Sequence, residues 1–237
     1  MTTTPRIACE PTATVAETTQ DGTEFKRAIR QSMRATRTAL TAAHRTAHDA
    51  AIAANIEAWL MRHPVRELGV YWPIHGEPDL RVLYTRLAAS GIRLALPKVV
   101  GRELPLQFLA WMPGDELVVG RDGIAVPAAG TTIADSATTT AVVTAVIPGA
   151  LLIPCLAFNS ENFRLGYGGG YYDRTLASMP GAVAIGVGYG CTQTEFPAAP
   201  HDIAMHVVIT EKPEQHKKSE ESEMRLSRPG QDDARSP

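Results

Sequence analysis

Residues 159–174 read Asn-Ser-Glu-Asn-Phe-Arg-Leu-Gly-Tyr-Gly-Gly-Gly-Tyr-Tyr-Asp-Arg. The run follows an apolar strand pattern and opens a helical one. Glycines let several backbone N–H groups crowd around one point, and a helix N-terminus adds partial positive charge, so the combination suits phosphate. Arg164 has the planar fork that clamps phosphate oxygens in pairs. Asp173 is a hard-oxygen ligand of the kind that holds the Mg²⁺ accompanying a nucleotide. The loop is not a Walker A sequence, because no Gly-Lys-Ser/Thr follows, and Tyr171 stands where a dinucleotide fingerprint has its third glycine. A bare glycine-rich turn could equally be structural; Arg164, Tyr171, Tyr172 and Asp173 together favour chemistry.

Three further groups deserve weighing. Lys26, Arg30, Arg34 and Arg37 recur at helical spacing as a basic stripe. Such a stripe reads either as a solvated face or as Lys26 and Arg30, one turn apart, reaching a shared phosphate. Glu77 lies in Tyr71-Trp-Pro-Ile-His-Gly-Glu-Pro-Asp79, just after a strand pattern. Asp79 suits a helix start, where an acid favours the dipole; Glu77, outside the helix before Pro78, is either structural or a ligand-binding acid. His201-Asp202 is a loop pair that is either solvated or the partner of Asp173 in a magnesium site. His44 and His48 are four apart with no third metal ligand following, and no GxSxG elbow is present.

These residues need elements to hold them. Helical periodicity predicts helices from Thr23 to about His44, from about Ala47 to His63, from Asp79 to Ser90 and from Tyr171 to Ser178. Strand patterns cover Leu68 to Ile74, Arg93 to Leu96, Leu106 to Trp111, Val142 to Ile147, Leu151 to Cys155, Ala182 to Val187 and His206 to Thr210. Short continuous apolar strands alternating with helices predict an α/β domain, three-layered and Rossmann-like, around a mostly parallel buried sheet. Ligands of such sheets sit at the strand C-terminal ends, which directs attention to the loop after Leu151–Phe158.

Composition bounds the rest. The 237 residues carry 23 Lys plus Arg against 25 Asp plus Glu, and this balance argues against a general nucleic-acid binder. Cys9, Cys155 and Cys191 form neither a disulfide framework nor a Cys-rich zinc site, so a reducing, cytoplasmic setting is expected. No apolar run is long enough to span a bilayer as a helix. Residues 1–22, rich in Thr, and the charged tail 212–237 are expected to be disordered, leaving one domain over residues 23–211.

Taken in order, KRAIR from Lys26, YWPIHGEPDL from Tyr71, PLQFLAWMPGDELVVGRDGIAVP from Pro105, IPCLAFNSENFRLGYGGGYYDRTL from Ile153 and HDIAMHVVITE from His201 resemble the 5-formyltetrahydrofolate cyclo-ligase family. The resemblance spans about Lys26 to Glu211. It implies ATP- and Mg²⁺-dependent cyclisation of 5-formyltetrahydrofolate to 5,10-methenyltetrahydrofolate, with small-molecule substrates and a monomer or weak homodimer. By position, Lys26 and Arg30 correspond to phosphate contacts, Arg30 also touching the folate. Arg164, Leu165, Gly166, Tyr167, Gly168, Gly169, Gly170, Tyr171 and Tyr172 correspond to the ATP loop, with Arg164 and Lys26 catalytic. Asp173 and Asp202 correspond to magnesium ligands, Glu77 to the acid holding the pterin ring, and Tyr71 and Tyr172 to aromatic walls of the folate pocket. Asn159 stands where many members have Asp, Phe163 stands before the Arg where a small or polar residue is common, and residues 128–149 match poorly. Competing readings are a sugar-phosphate isomerase or transferase on a similar scaffold and a non-catalytic folate or nucleotide carrier.

Overall fold

The computed structural model describes residues 15–128 and 144–213. Helix α1 spans Val15–Thr38 and α2 spans Ala42–Arg62. The first helix thus starts eight residues before Thr23 and stops short of His44. Thr41 explains the break: its side chain accepts the His44 N–H at 3.2 Å and caps α2. The buried stripe of α2 is Ile52, Ile56, Trp59 and Leu60, at the spacing that predicted it.

Strand β1 is Glu67–Gly69, α3 Arg81–Ala89, β2 Arg93–Lys98 and β3 Gln107–Trp111. The strand expected to reach Ile74 leaves the ladder after Val70, whose N–H still bonds the Ala95 carbonyl at 2.8 Å. Pro73 lacks a donor, so the segment becomes a loop. Gly91, just after α3, has φ +92°, as its helix-terminating role requires. An unpredicted hairpin, β4 Leu117–Val119 with β5 Ala125–Pro127, follows. Then come β6 Ala145–Val146, β7 Ala150–Pro154, β8 Ala157–Phe158 and β9 Arg164–Leu165. The chain continues through α4 Tyr171–Ser178, β10 Val183–Val187 and β11 Val207–Ile209. Val142 and Val143, residues 1–14, most of the Thr-rich stretch 128–141 and residues 214–237 lie outside the described residues.

The main sheet has the order β11-β10-β7-β1-β2-β3-β6. Five neighbouring strands from β11 to β2 are parallel, and β3 runs antiparallel to its neighbours β2 and β6. Residues of β7 alternate between two cores, as period-2 side chains must. Leu152 packs with α2 and α3, whereas Leu151 and Ile153 pack with Leu176 of α4. The result is the expected three-layer α/β domain with a mostly parallel sheet. Gly69 is required where β1 meets β7, because a Cβ there would collide with Leu151 and Phe108. No helix among the described residues is long and apolar enough to cross a membrane.

Candidate active site

From β1 the chain winds to β2 on one side, and from β7 to β10 and β11 on the other. The switch point therefore lies between β1 and β7, and the loops after these two strands border one crevice. One loop carries Glu77 and the other carries the glycines. Helix α1 reaches both loops. Its Ile29 and Met33 pack with Phe163 against Ala157, Leu165 and Phe196, which gives Phe163 a docking role.

The glycine loop starts from the β8–β9 hairpin. There the Asn159 Oδ1 accepts the N–H groups of Glu161 (3.1 Å) and Phe163 (2.9 Å). Its Nδ2 donates to the Phe196 carbonyl at 3.2 Å, a bond that Asp could not make. Gly168 has φ +99° and Gly170, the cap of α4, φ +63°, conformations that side chains disfavour. Arg30 lies alongside: its Nε donates to the Gly166 carbonyl at 2.9 Å, and its guanidinium carbon is 3.8 Å from where a Cβ of Gly168 would stand.

Arg164 is buried. Its Nη2 meets Asp173 Oδ1 at 2.9 Å, its Nη1 donates to the Ile203 carbonyl at 3.3 Å, and its guanidinium lies 5.8 Å from the Tyr172 ring centre. Asp173 Oδ1 also accepts the Ile203 N–H at 3.2 Å. One residue earlier, Asp202 Oδ2 accepts from Lys26 Nζ and from the Ala199 N–H, both at 2.8 Å. Burial pushes the Asp202 carboxyl up, but these two hydrogen bonds and the nearby charges, Lys26 foremost, together hold the group below its usual range. Lys26, the Arg164–Asp173 pair and Asp202, from three parts of the chain, thus converge beside Ile203. Among the described residues no three His, Cys, Asp or Glu side chains group as a metal site. Two carboxylates beside a phosphate-type loop fit Mg²⁺ that arrives with a nucleotide, since Mg²⁺ commonly takes one or two carboxylates and otherwise phosphate and water oxygens.

On the other side of the crevice, Glu77 is 5% exposed. Its Oε2 accepts the Ile74 N–H at 3.0 Å and its Oε1 accepts the Tyr167 hydroxyl at 3.0 Å. Burial pushes the carboxyl up to about 7, against the opposing pull of these bonds and of Arg37. Asp79 accepts the Arg81 N–H at 3.1 Å at the start of α3, the structural role open to it from sequence. Glu77 also lines a cavity of about 510 Å³, bordered by Arg45, Asp49, Trp72, Arg81 and Tyr189 among others. Tyr71 is not on that wall. It is 2% exposed within the core, donating its hydroxyl to the Pro78 carbonyl at 2.8 Å and accepting from Tyr84 through its own carbonyl. Tyr172 packs partly buried with the α4-side core.

Two contacts escaped the sequence reading. Arg37, one residue of the basic stripe, is buried rather than solvated, at 2% exposure. Tyr167, assigned to the ATP loop, carries its phenol across the crevice to Glu77. The signal for Arg37 was present: at about 100° per residue, 11 positions return it to within roughly 20° of Lys26, between Lys26 and Arg30 on one face.

The topology defines a doubly wound α/β protein whose glycine loop and Glu77 loop meet at the switch point of its sheet. The profile of the 5-formyltetrahydrofolate cyclo-ligase family matches residues 22–211. A 5-formyltetrahydrofolate cyclo-ligase of Mycolicibacterium smegmatis is 33% identical over 187 residues, covering 74% of this chain and 92% of that protein. The Escherichia coli K12 enzyme of the same name is 32% identical over 162 residues, covering 64% and 79%. The solved 5,10-methenyltetrahydrofolate synthetase of Aquifex aeolicus superposes with a TM-score of 0.65 at 26% identity, covering 82% of this chain and 99% of that one. The chain belongs to the 5-formyltetrahydrofolate cyclo-ligase family.

Proposed function

We propose that the protein cyclises 5-formyltetrahydrofolate to 5,10-methenyltetrahydrofolate in an ATP- and Mg²⁺-dependent reaction. The observation that carries this reading is the convergence of Lys26, Arg164, Asp173 and Asp202 around Ile203, with Glu77 joined to the glycine loop through the Tyr167 hydroxyl. A formamide oxygen is a poor leaving group, so it is first phosphorylated: the formyl oxygen attacks the γ-phosphorus of ATP and ADP leaves. The neighbouring anilinic nitrogen then attacks the activated formyl carbon and loses its proton. The carbon–oxygen bond breaks, phosphate departs, and the ring is closed as the amidinium cation.

Phosphoryl transfer of this kind depends on positioning and charge stabilisation. Lys26, Arg30 and Arg164 bring cations to the phosphates, and the N–H groups around Gly168 to Gly170 cradle them. Asp173 and Asp202 would hold Mg²⁺, which neutralises phosphate charge when bound. Ionised Glu77 accepts the amino and ring N–H donors of the pterin. Tyr172, beside Arg164, contributes an aromatic face near the reacting centre. The setting is cytoplasmic, where these small-molecule substrates occur.

The test is direct. Purified protein is incubated with 5-formyltetrahydrofolate, Mg²⁺ and ATP while the near-ultraviolet absorbance of the methenyl product is followed. A control without ATP is needed, because acid alone cyclises the substrate. Product that forms only with ATP supports the reading; folate binding without turnover favours a carrier and sinks it.

A further inference from the structure

Arg37 is the most deeply buried charged side chain among the described residues. Its Nη2 donates to the His75 carbonyl at 2.8 Å and to the Tyr167 hydroxyl at 2.6 Å. Its Nε and Nη1 are buried with no hydrogen-bond partner. A guanidinium buried with unpaired nitrogens is a poor stabilising device, since an apolar side chain of similar volume serves a core better. Its presence here calls for another explanation, and its two partners supply one. Tyr167 belongs to the glycine loop and bonds Glu77, while His75 sits two residues before Glu77 in a left-handed conformation (φ +51°), followed by Gly76 at φ +74°.

We propose that Arg37 is a positioning residue for the folate-holding acid, orienting Glu77 through the Tyr167 phenol and fixing the left-handed turn that presents it through the His75 carbonyl. The proposal rests on the reading of Glu77 as that acid. The direction of the relay follows from donor inventory. Arginine only donates, so the Tyr167 oxygen accepts from Arg37 and its single proton goes to Glu77 Oε1. Oε2 receives the Ile74 N–H. A carboxylate offers about four lone-pair sites, so one site on each oxygen remains for a ligand presenting two parallel N–H groups. A phenol donor and a nearby cation both favour the ionised form that can accept them.

The groups facing Glu77 come from several elements. Tyr71, Tyr84, Tyr172 and Cys155 act electrostatically with it, and burial pushes each of them up, toward the neutral form. From α1 comes Arg37, and from the glycine loop Tyr167. Arg45, Asp49, His75, Asp79, Arg81 and Tyr189 share the cavity.

The experiment compares Arg37→Met, Arg37→Lys, Tyr167→Phe, Glu77→Gln and the Arg37→Met/Tyr167→Phe double variant in the full chain. It measures the KM for 5-formyltetrahydrofolate, the KM for ATP and the pH profile of kcat/KM for folate. Arg37→Met is expected to raise the folate KM about tenfold with the ATP KM within about twofold, and to move the acid limb to higher pH. Arg37→Lys recovers part of the loss. Tyr167→Phe shifts both readouts in the same direction, and the double variant is no worse than Arg37→Met, as residues acting through one another require. Should Arg37→Met fail to fold, Tyr167→Phe, which keeps the Arg37–His75 bond, decides alone. Equal rises in both KM values with an unmoved acid limb would reduce Arg37 to a structural role and overturn the proposal. A normal folate KM in Glu77→Gln removes the reading of Glu77 and the proposal with it. A raised KM in Glu77→Gln with normal values in Tyr167→Phe and Arg37→Met overturns the relay alone.

Discussion

Lys26 of α1 and Asp202 of the β10–β11 connection meet at 2.8 Å across 176 positions of sequence. The pair ties the N-terminal helix to the β10–β11 connection, one residue before the Ile203 N–H that Asp173 accepts. Lys26→Ala should raise the apparent KM for ATP more than that for folate. Steady-state kinetics with each substrate varied in turn checks this, and the reverse order would remove Lys26 from the phosphates.

The same pair makes stability acid-sensitive. Asp202 titrates below its ordinary value of 3.8, so its contribution is present above that pH and is lost as pH falls through the lowered folded value. Thermal unfolding between pH 6 and about pH 3 should show this loss, and Lys26→Ala should show less of it. An identical acid dependence in both proteins would assign the sensitivity elsewhere.

Asp173 has a structural partner as well as a proposed chemical role. Asp173→Asn keeps an acceptor for the Ile203 N–H while removing the charge, so turnover should fall at least about 100-fold with the fold retained. Asp173→Ala additionally removes the oxygen that accepts from the buried Arg164 and from the Ile203 N–H, and should cost about 3 kcal/mol of stability. Undiminished activity in Asp173→Asn would end the magnesium assignment.

Glu77 gives a pH signature of opposite sign. Its folded value of about 7 exceeds the ordinary 4.5, so the unfolded chain releases the proton first and stability falls as pH rises between the two. That difference amounts to about 3 kcal/mol. On the proposed role of Glu77, folate binding has the other slope, because only a carboxylate would accept the pterin N–H groups, so kcat/KM for folate should decline below about pH 7. Glu77→Gln should abolish both slopes and weaken folate binding by about 1.5–3 kcal/mol. A pH profile unchanged by the substitution would show that another group titrates.

Gly69→Ala tests the packing at the switch point. The added methyl meets Leu151 and Phe108, so stability should drop by about 1–3 kcal/mol. Chemical denaturation measures the loss, and a neutral result would mean that β1 and β7 separate more readily than their pairing indicates.

Much of this molecule is local enough to be read from the chain. The α4 limits, Tyr171–Ser178, follow from a glycine-rich cap and helical periodicity, and the buried strands β7 and β10 follow from continuous apolar runs. The clustering of Arg164, Gly168, Gly170 and Asp173 was legible because one contiguous segment carries them. Family membership followed from the same blocks in order. What the chain alone left open were choices made by distant partners. Whether Arg37 faces water or the core is settled by the His75 carbonyl and the Tyr167 phenol, groups 38 and 130 positions away. Tyr71 had the residue type of a pocket wall, but the segment after β1 turns it into the core, where the Pro78 carbonyl accepts its hydroxyl. The β4–β5 hairpin has little apolar alternation to announce it, since its first strand is largely exposed. Side-chain type and spacing therefore determined which groups could do chemistry. Only the tertiary structure decided which of them are buried and which partners each one meets, because those partners come from distant parts of the chain.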